Sequence, residues 1–217
     1  YCKVSIIVFY GTVAVTELRM TNIKRIMNGS IKYAIDTINK VDRLEAIPEK
    51  LLLGNKITES RLAAYSLLNE ILVKSGYGSL DELEKDDLGC PQTASSRRLW
   101  VSVAHSNILV AAAASVIGKV GIDVERVTEW SGGMEDMAFT EKEKSYLNTV
   151  LERASSATEL WVKKEALGKA LGVGIEDYVL ATSVLQQPVF INGGTFFFKE
   201  IKTLGSHRAA ICFLDKD

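Results

Sequence analysis

The segment Gly121-Ile122-Asp123-Val124-Glu125 places two carboxylates two residues apart. On a β-strand this spacing sends Asp123 and Glu125 to one face, and Ile122 and Val124 to the other. Neighbouring carboxylates repel unless a cation sits between them, and hard oxygen donors suit Mg²⁺, which completes its shell with water and substrate phosphates. A solvated strand edge with Arg126 as counter-ion accounts for the same residues. Further along, Trp161, Glu165 and Lys169 follow at i, i+4 and i+8 of a helical pattern, with Gly168 and Gly172 on nearly the same side. Both a surface Glu165–Lys169 pair beside a core tryptophan and a ligand approaching over the glycines fit that pattern. The third segment is Ser102-Val103-Ala104-His105-Ser106, whose alternation separates the two serines and Ala104 from Val103 and His105. A lone histidine there is ordinarily structural. No Gly-x-Ser-x-Gly elbow and no Walker or dinucleotide glycine loop is present in the sequence, which argues against serine hydrolase and P-loop chemistry.

These segments need strands and a helix to position them. Trp100–His105, Ile108–Ser115 and Val120–Val124 are short apolar runs split at Asn107 and Gly118, which predicts a β-meander. Ser156 with Glu159 predicts the start of a helix that runs through Trp161 to Leu171 and stops at Gly172. Thr140 with Glu143 boxes a shorter helix to about Asn148, and Ser79 with Glu82 a further short one. Thr58 or Ser60 caps a helix whose apolar face is Leu62, Ala63, Leu67, Ile71 and Leu72, ending at Gly76-Tyr77-Gly78. Residues 30–44 have helical apolar spacing, with a strand over the middle as the alternative. Tyr178–Val184, Val189–Ile191, Thr195–Ile201 and Ala209–Leu214 read as strands, with Asn192-Gly193-Gly194 as a turn. The sum is an α+β chain with mostly antiparallel strands and a boundary near 120–128.

Composition narrows the classes. The 217 residues are 47% hydrophobic and 24% charged with a net charge of −1, so a core is affordable and no basic field points to nucleic acid. Three scattered cysteines, Cys2, Cys90 and Cys212, form no disulfide framework and suggest a reducing compartment. Two histidines, His105 and His207, without a Cys-x-x-Cys pair argue against structural zinc. No apolar run reaches the roughly 18 residues of a membrane span. Val4–Val15 is broken by polar residues and preceded by one lysine, which predicts two short strands or a hairpin rather than a signal peptide. A cytoplasmic location is expected.

Taken in order, His105-Ser106, the Gly121–Glu125 segment and Trp161-x-Lys-Lys-Glu165-Ala-x-x-Lys169-Ala-x-Gly172 resemble the 4′-phosphopantetheinyl transferases. The single-chain, surfactin-synthetase-activating type is the closer likeness. Phe139-Thr140-Glu141-Lys142-Glu143 resembles the family's Phe-[Ser/Thr]-x-x-Glu segment. The likeness is specific over residues 98–172, extends in looser form back to Lys50 and the Arg61 helix, and rests only on a strand pattern after 175. It implies two similar α+β halves related by a pseudo-twofold, each an antiparallel sheet packed with a long helix, divided as residues 1–120 and 121–217. It implies transfer of the phosphopantetheine arm of coenzyme A to a serine of an apo acyl or peptidyl carrier protein, with release of adenosine 3′,5′-bisphosphate. Asp123, Glu125 and Glu165 would then hold Mg²⁺ or Mn²⁺, Glu165 would act as base, and Lys169 would neutralise the diphosphate. His105, Ser106, Arg61 and Lys50 would hold the coenzyme's 3′-phosphate and adenine end, with Lys164 a weaker phosphate contact. A monomer is expected, with a local basic rim of Lys142, Lys144, Lys163 and Lys164 for an acidic carrier. One departure stands out: Gly89-Cys90-Pro91 replaces the family's frequent Gly-Lys-Pro or Gly-Arg-Pro, with Arg97 or Arg98 as the substitute cation. That loss favours one rival, a coenzyme- or carrier-binding homologue without turnover; a second rival is a metal-dependent diphosphate hydrolase that uses the same carboxylates with water as nucleophile.

Overall fold

Two long helices, each stopped by a glycine in the left-handed region (Gly76 at φ 68° and Gly172 at φ 82°), divide the apolar residues between two sheets. The computed structural model describes residues 22–42, 44, 46–52, 57–85, 91–93, 98–203 and 205–215. The strands expected over Val4–Val15, and the Gly89-Cys90 and Arg97 positions, lie outside the described residues.

The first sheet collects β1 (Lys24–Ile26), β2 (Ile31–Thr37), β3 (Leu83–Lys85), β4 (Pro91–Thr93), β5 (Trp100–Ser106) and β6 (Leu109–Ser115). Its order is β1-β2-β6-β5-β4-β3, with antiparallel pairs throughout. Helix α1 (Glu59–Ser75) follows β2 in the chain and packs on this sheet through Ala63, Ala64, Leu67, Leu68, Ile71 and Leu72. Thr58 caps it, its hydroxyl accepting from Arg61 N at 3.2 Å. The second sheet is β7-β10-β9-β8, formed by β7 (Val120–Arg126), β8 (Val189–Ile191), β9 (Gly194–Ile201) and β10 (His207–Asp215). Helices α2 (Gly132–Ala138), α3 (Glu141–Leu147), α4 (Arg153–Leu171) and α5 (Asp177–Leu180) lie between β7 and β8 in sequence, and α4 packs on that sheet. The chain is thus α+β in two parts, each an antiparallel sheet with one long helix. The sheets meet through their helix-free faces, where Tyr33, Ala111, Ala113, Val120, Ile122, Val124 and Ile211 form a shared apolar layer.

Several sequence expectations change here. The meander stops after β6: β7 leaves to pair with β10, because its Val120, Ile122 and Val124 stripe is spent on the layer between the sheets. Residues 31–37 are strand rather than helix. Ile31 and Tyr33 face the inter-sheet layer while Ala34 faces the α1 core, so burial on both faces hides the period of two. Helix α4 begins at Arg153, ahead of the expected Ser156 box, and Asp177–Leu180 is a helical turn where a strand was expected. The Thr140–Glu143 box caps α3 as expected, and Asn192 and Gly193, both at positive φ, turn β8 into β9.

Two contacts fix α4. Gly121 of β7 lies against its backbone: a Cβ at that position would stand 2.0 Å from Ala166 O and 2.5 Å from Ala170 N. On the far side, the fully buried Lys164 ammonium meets the equally buried Glu143 at 2.9 Å and donates to Leu180 O at 2.5 Å and Thr182 O at 3.0 Å. Glu143 in turn accepts from Thr140 N and Val184 N, both at 2.8 Å, so one buried pair ties α3, α4 and the segment after α5. Lys164→Met should destabilise the protein by about 3–5 kcal/mol, the cost of leaving one buried charge unpaired, while Lys164→Met with Glu143→Leu should recover most of it in urea melts. Gly121→Ala should cost about 1–3 kcal/mol or more through overpacking, read in the same melts.

Candidate active site

With Val120, Ile122 and Val124 turned inward between the sheets, Gly121, Asp123 and Glu125 face α4. The missing side chain at Gly121 brings the α4 backbone down on β7 at Ala166 and Ala170, and the residues beside those two are Glu165 and Lys169. Lys169 Nζ donates to Asp123 Oδ1 at 2.6 Å. Asp123 is 3% exposed, and its second oxygen, Oδ2, is buried without a hydrogen-bond partner.

Glu125, half-buried two residues on, accepts from Ser106 Oγ at 2.7 Å. The Glu165 carboxyl is pushed up to about 7, first by burial, then by the Asp123 charge and to a smaller extent by Glu125, with Lys169 opposing. Glu125 is raised as well, by burial against the Ser106 hydrogen bond and with Asp123 adding to the rise. Three carboxylates thus crowd one site with a single lysine among them.

His105 lies on the opposite face of β5 from Ser106, at the rim. Partial burial, then the Lys169 and Arg61 cations, hold its imidazole below the ordinary histidine value, with Asp123 opposing. Arg61, in the first turn of α1, and Lys169, in the last turns of α4, therefore act on the same ring from the two long helices. Of the residues expected at the site from sequence, the fold gathers Asp123, Glu125, Glu165, Lys169, His105, Ser106 and Arg61. Two stand elsewhere. Lys164 is enclosed with Glu143 on the other side of α4, and Lys50 donates to the Asp81 carbonyl. Arg98 lies over the Trp100 ring, 5.5 Å from its centroid. Of the lysines expected as a basic rim, Lys144 is paired with Asp136 and Glu141, Lys163 with Glu159 and Glu200, and Lys164 with Glu143, so acids answer three of the four.

Among the described residues no three His, Cys, Asp or Glu side chains stand as a ready metal chelate. The donor set nevertheless fits a hard divalent cation: an orphaned buried carboxylate oxygen at Asp123, and carboxylates at Glu165 and Glu125 raised first by burial, with repulsion from Asp123 adding to both. A cation entering here has to draw the carboxylates together, which that repulsion alone does not do.

A feature the sequence reading passed over adjoins this cluster. A cavity of about 750 Å³ opens beside Ser106 and Glu125 and is walled mainly by carbon, with Trp130, Met134, Met137, Trp161, Ile175 and Leu180. Trp130 packs on Phe139 and Trp161 at ring centroid distances of 5.0 and 5.7 Å, and its indole N–H donates to Thr158 Oγ1 at 3.2 Å. The Met134–Met137 spacing of three was the sequence signal for the helix that brings them there.

Residues 119–212 match the family model of the 4′-phosphopantetheinyl transferase superfamily. No curated protein matches the chain. The matched stretch runs from the start of β7 through α4 and into β10, well past residue 172, where the likeness legible in the signature motifs ends. The matched stretch, residues 119–212, is the part that brings Asp123, Glu125, Glu165 and Lys169 together, and in that stretch the chain is similar to the 4′-phosphopantetheinyl transferase superfamily.

Proposed function

We propose that the chain moves the 4′-phosphopantetheine arm of coenzyme A onto a serine of an apo acyl or peptidyl carrier protein, releasing adenosine 3′,5′-bisphosphate. The observation that carries this reading is Glu165, a carboxyl poised near 7, beside a lysine and two further carboxylates and in the superfamily's matched segment. A carboxylate so placed can take the hydroxyl proton as general base, typically worth about 10²–10⁴-fold. In the proposed reaction the serine oxygen forms a bond to the β-phosphorus and its proton passes to Glu165. The bond from that phosphorus to the bridging oxygen breaks, and the bisphosphate leaves with the electron pair. Lys169 neutralises charge that grows on the phosphate oxygens in the transition state. His105 and Arg61 receive the 3′-phosphate and adenine end on the side of residues 1–120. The uncharged arm lies toward the carbon-lined cavity beside Glu125.

Asp123, Glu125 and Glu165 would hold Mg²⁺, or Mn²⁺ in its place. Bound there, the ion would supply positive charge to the diphosphate oxygens. The single-chain type, a monomeric state and a cytoplasmic setting go with this proposal. Among the described residues no helix is long and apolar enough to cross a membrane.

Intact mass of an apo acyl carrier protein, incubated with this protein, coenzyme A and Mg²⁺, tests the reading. One added phosphopantetheine arm is expected, lost with Glu165→Gln and with EDTA. No gain on fatty-acid, polyketide and peptide-type carriers while coenzyme A still binds would leave a binder without turnover, and bisphosphate released without any carrier would indicate a hydrolase. A second outcome follows from the raised carboxyl. Between 4.5 and about 7 the folded protein holds a proton at Glu165 that the unfolded chain gives up. Stability of the metal-free protein should therefore fall as pH rises through that window and level off above it. Thermal melts of wild type against Glu165→Gln isolate this slope, and Mg²⁺ should flatten it.

A further inference from the structure

Strand β7 is bonded to β10 along one edge, and its other edge faces β5 of the first sheet. Serine hydroxyls take the place of a backbone ladder there. Ser102 Oγ accepts from Ile122 N at 3.0 Å, and Ser106 Oγ accepts from Arg126 N at 3.1 Å, four residues apart on each strand. The two serines differ in where their protons go. A serine hydroxyl has one proton and two lone pairs, and an amide N–H only donates, so the Ser106 proton is free to be given, and it is given to Glu125 Oε2 at 2.7 Å. Glu125 is the carboxylate nearest the rim, on a flexible side chain with Asp123 repelling it from the same strand face. Without a tether it would relax toward solvent.

We infer that Ser106 is a positioning residue: anchored on the β7 backbone at Arg126, its hydroxyl holds the Glu125 carboxylate at the cluster, ready for a divalent cation. The inference rests on the proposed metal role of Asp123, Glu125 and Glu165. It gives Ser106 a function distinct from coenzyme contact, because its donor and an acceptor are already committed across the junction between the sheets. Ser102 supplies an internal control, with the same backbone clasp and no carboxylate.

Mn²⁺ binding to the full chain, followed by electron paramagnetic resonance without coenzyme A, tests this. Ser106→Ala should weaken the Mn²⁺ Kd by about 10–100-fold, the usual effect of losing a hydrogen bond to a metal ligand. Ser106→Thr should restore most of it, and Ser102→Ala should leave it essentially unchanged. In the Glu125→Ala background, Ser106→Ala should add nothing, since the two act as one unit. Equal weakening by Ser102→Ala and Ser106→Ala would overturn the inference in favour of a plain clasp between sheets, as would wild-type affinity in Ser106→Ala. A wild-type protein that binds no Mn²⁺ would remove the metal role itself and this inference with it. In transfer assays the Ser106→Ala loss should show as a higher Mg²⁺ requirement with the KM for coenzyme A unchanged.

Discussion

A backbone-to-backbone contact governs the rest of the structure: at Gly121 a strand and a helix approach so closely that a single methyl group would overlap the α4 carbonyl at Ala166. Everything chemical follows from that approach. Asp123 lies one strand period beyond Gly121 on the same face, and Glu165 and Lys169 flank the α4 residues that touch it, so the glycine sets the distance at which acid and base side chains meet. Such interiors are packed to crystal-like density and transmit displacement rather than absorb it. The Glu143–Lys164 pair holds α4 from its other side, which leaves the helix no inexpensive direction in which to move.

The charges gathered by this approach are out of balance by design of the fold. Asp123 has one oxygen bonded to Lys169 and one with no partner, and Glu165 and Glu125 are both raised by burial and by their neighbours. Buried carboxylates in this condition hold protons at pH values where exposed ones have lost them. The same imbalance makes the site receptive to positive charge and equips Glu165 to accept a proton near neutrality. Perturbed carboxyls can be structural, but here they stand beside a large apolar cavity and within a segment of known enzyme kinship. The junction with the first sheet adds the third component, since Ser106, His105 and Arg61 reach the cluster from elements on the α1 side.

Much of this was legible in the residues. Alternation along Val120–Arg126 correctly separated the acidic face from the apolar one, and the i, i+4 spacing put Glu165 and Lys169 on one side of a helix that does end at Gly172. Two of the three capping boxes, Ser79–Glu82 and Thr140–Glu143, mark real starts because they are closed within four residues of chain, whereas α4 begins at Arg153, ahead of Ser156–Glu159. Other readings failed where burial is not one-sided. Residues 31–37 are covered on both faces, so their apolar spacing mimics a helix. Tyr178 and its neighbours suggest a strand by composition, yet Asp177–Leu180 winds into a turn.

Sequence by itself determined the chemical types, their order and their local spacing: two carboxylates on one strand face, a glutamate and a lysine one helical turn apart, a histidine and serine on opposite faces of another strand. Tertiary structure alone decided which of the cations belong to the site. Lys164 and Lys169 sit five residues apart on one helix, and by charge and spacing either suits a phosphate. Packing sends Lys164 to the fully buried Glu143 and Lys169 to Asp123, because α4 presents opposite sides to α3 and to β7. The bond from Ser106 to Glu125, and the departure of β7 from the strands before it, are likewise set by contacts between distant segments. Such contacts depend on how two sheets stack over a shared apolar layer, and local periodicity contains no term for that distance.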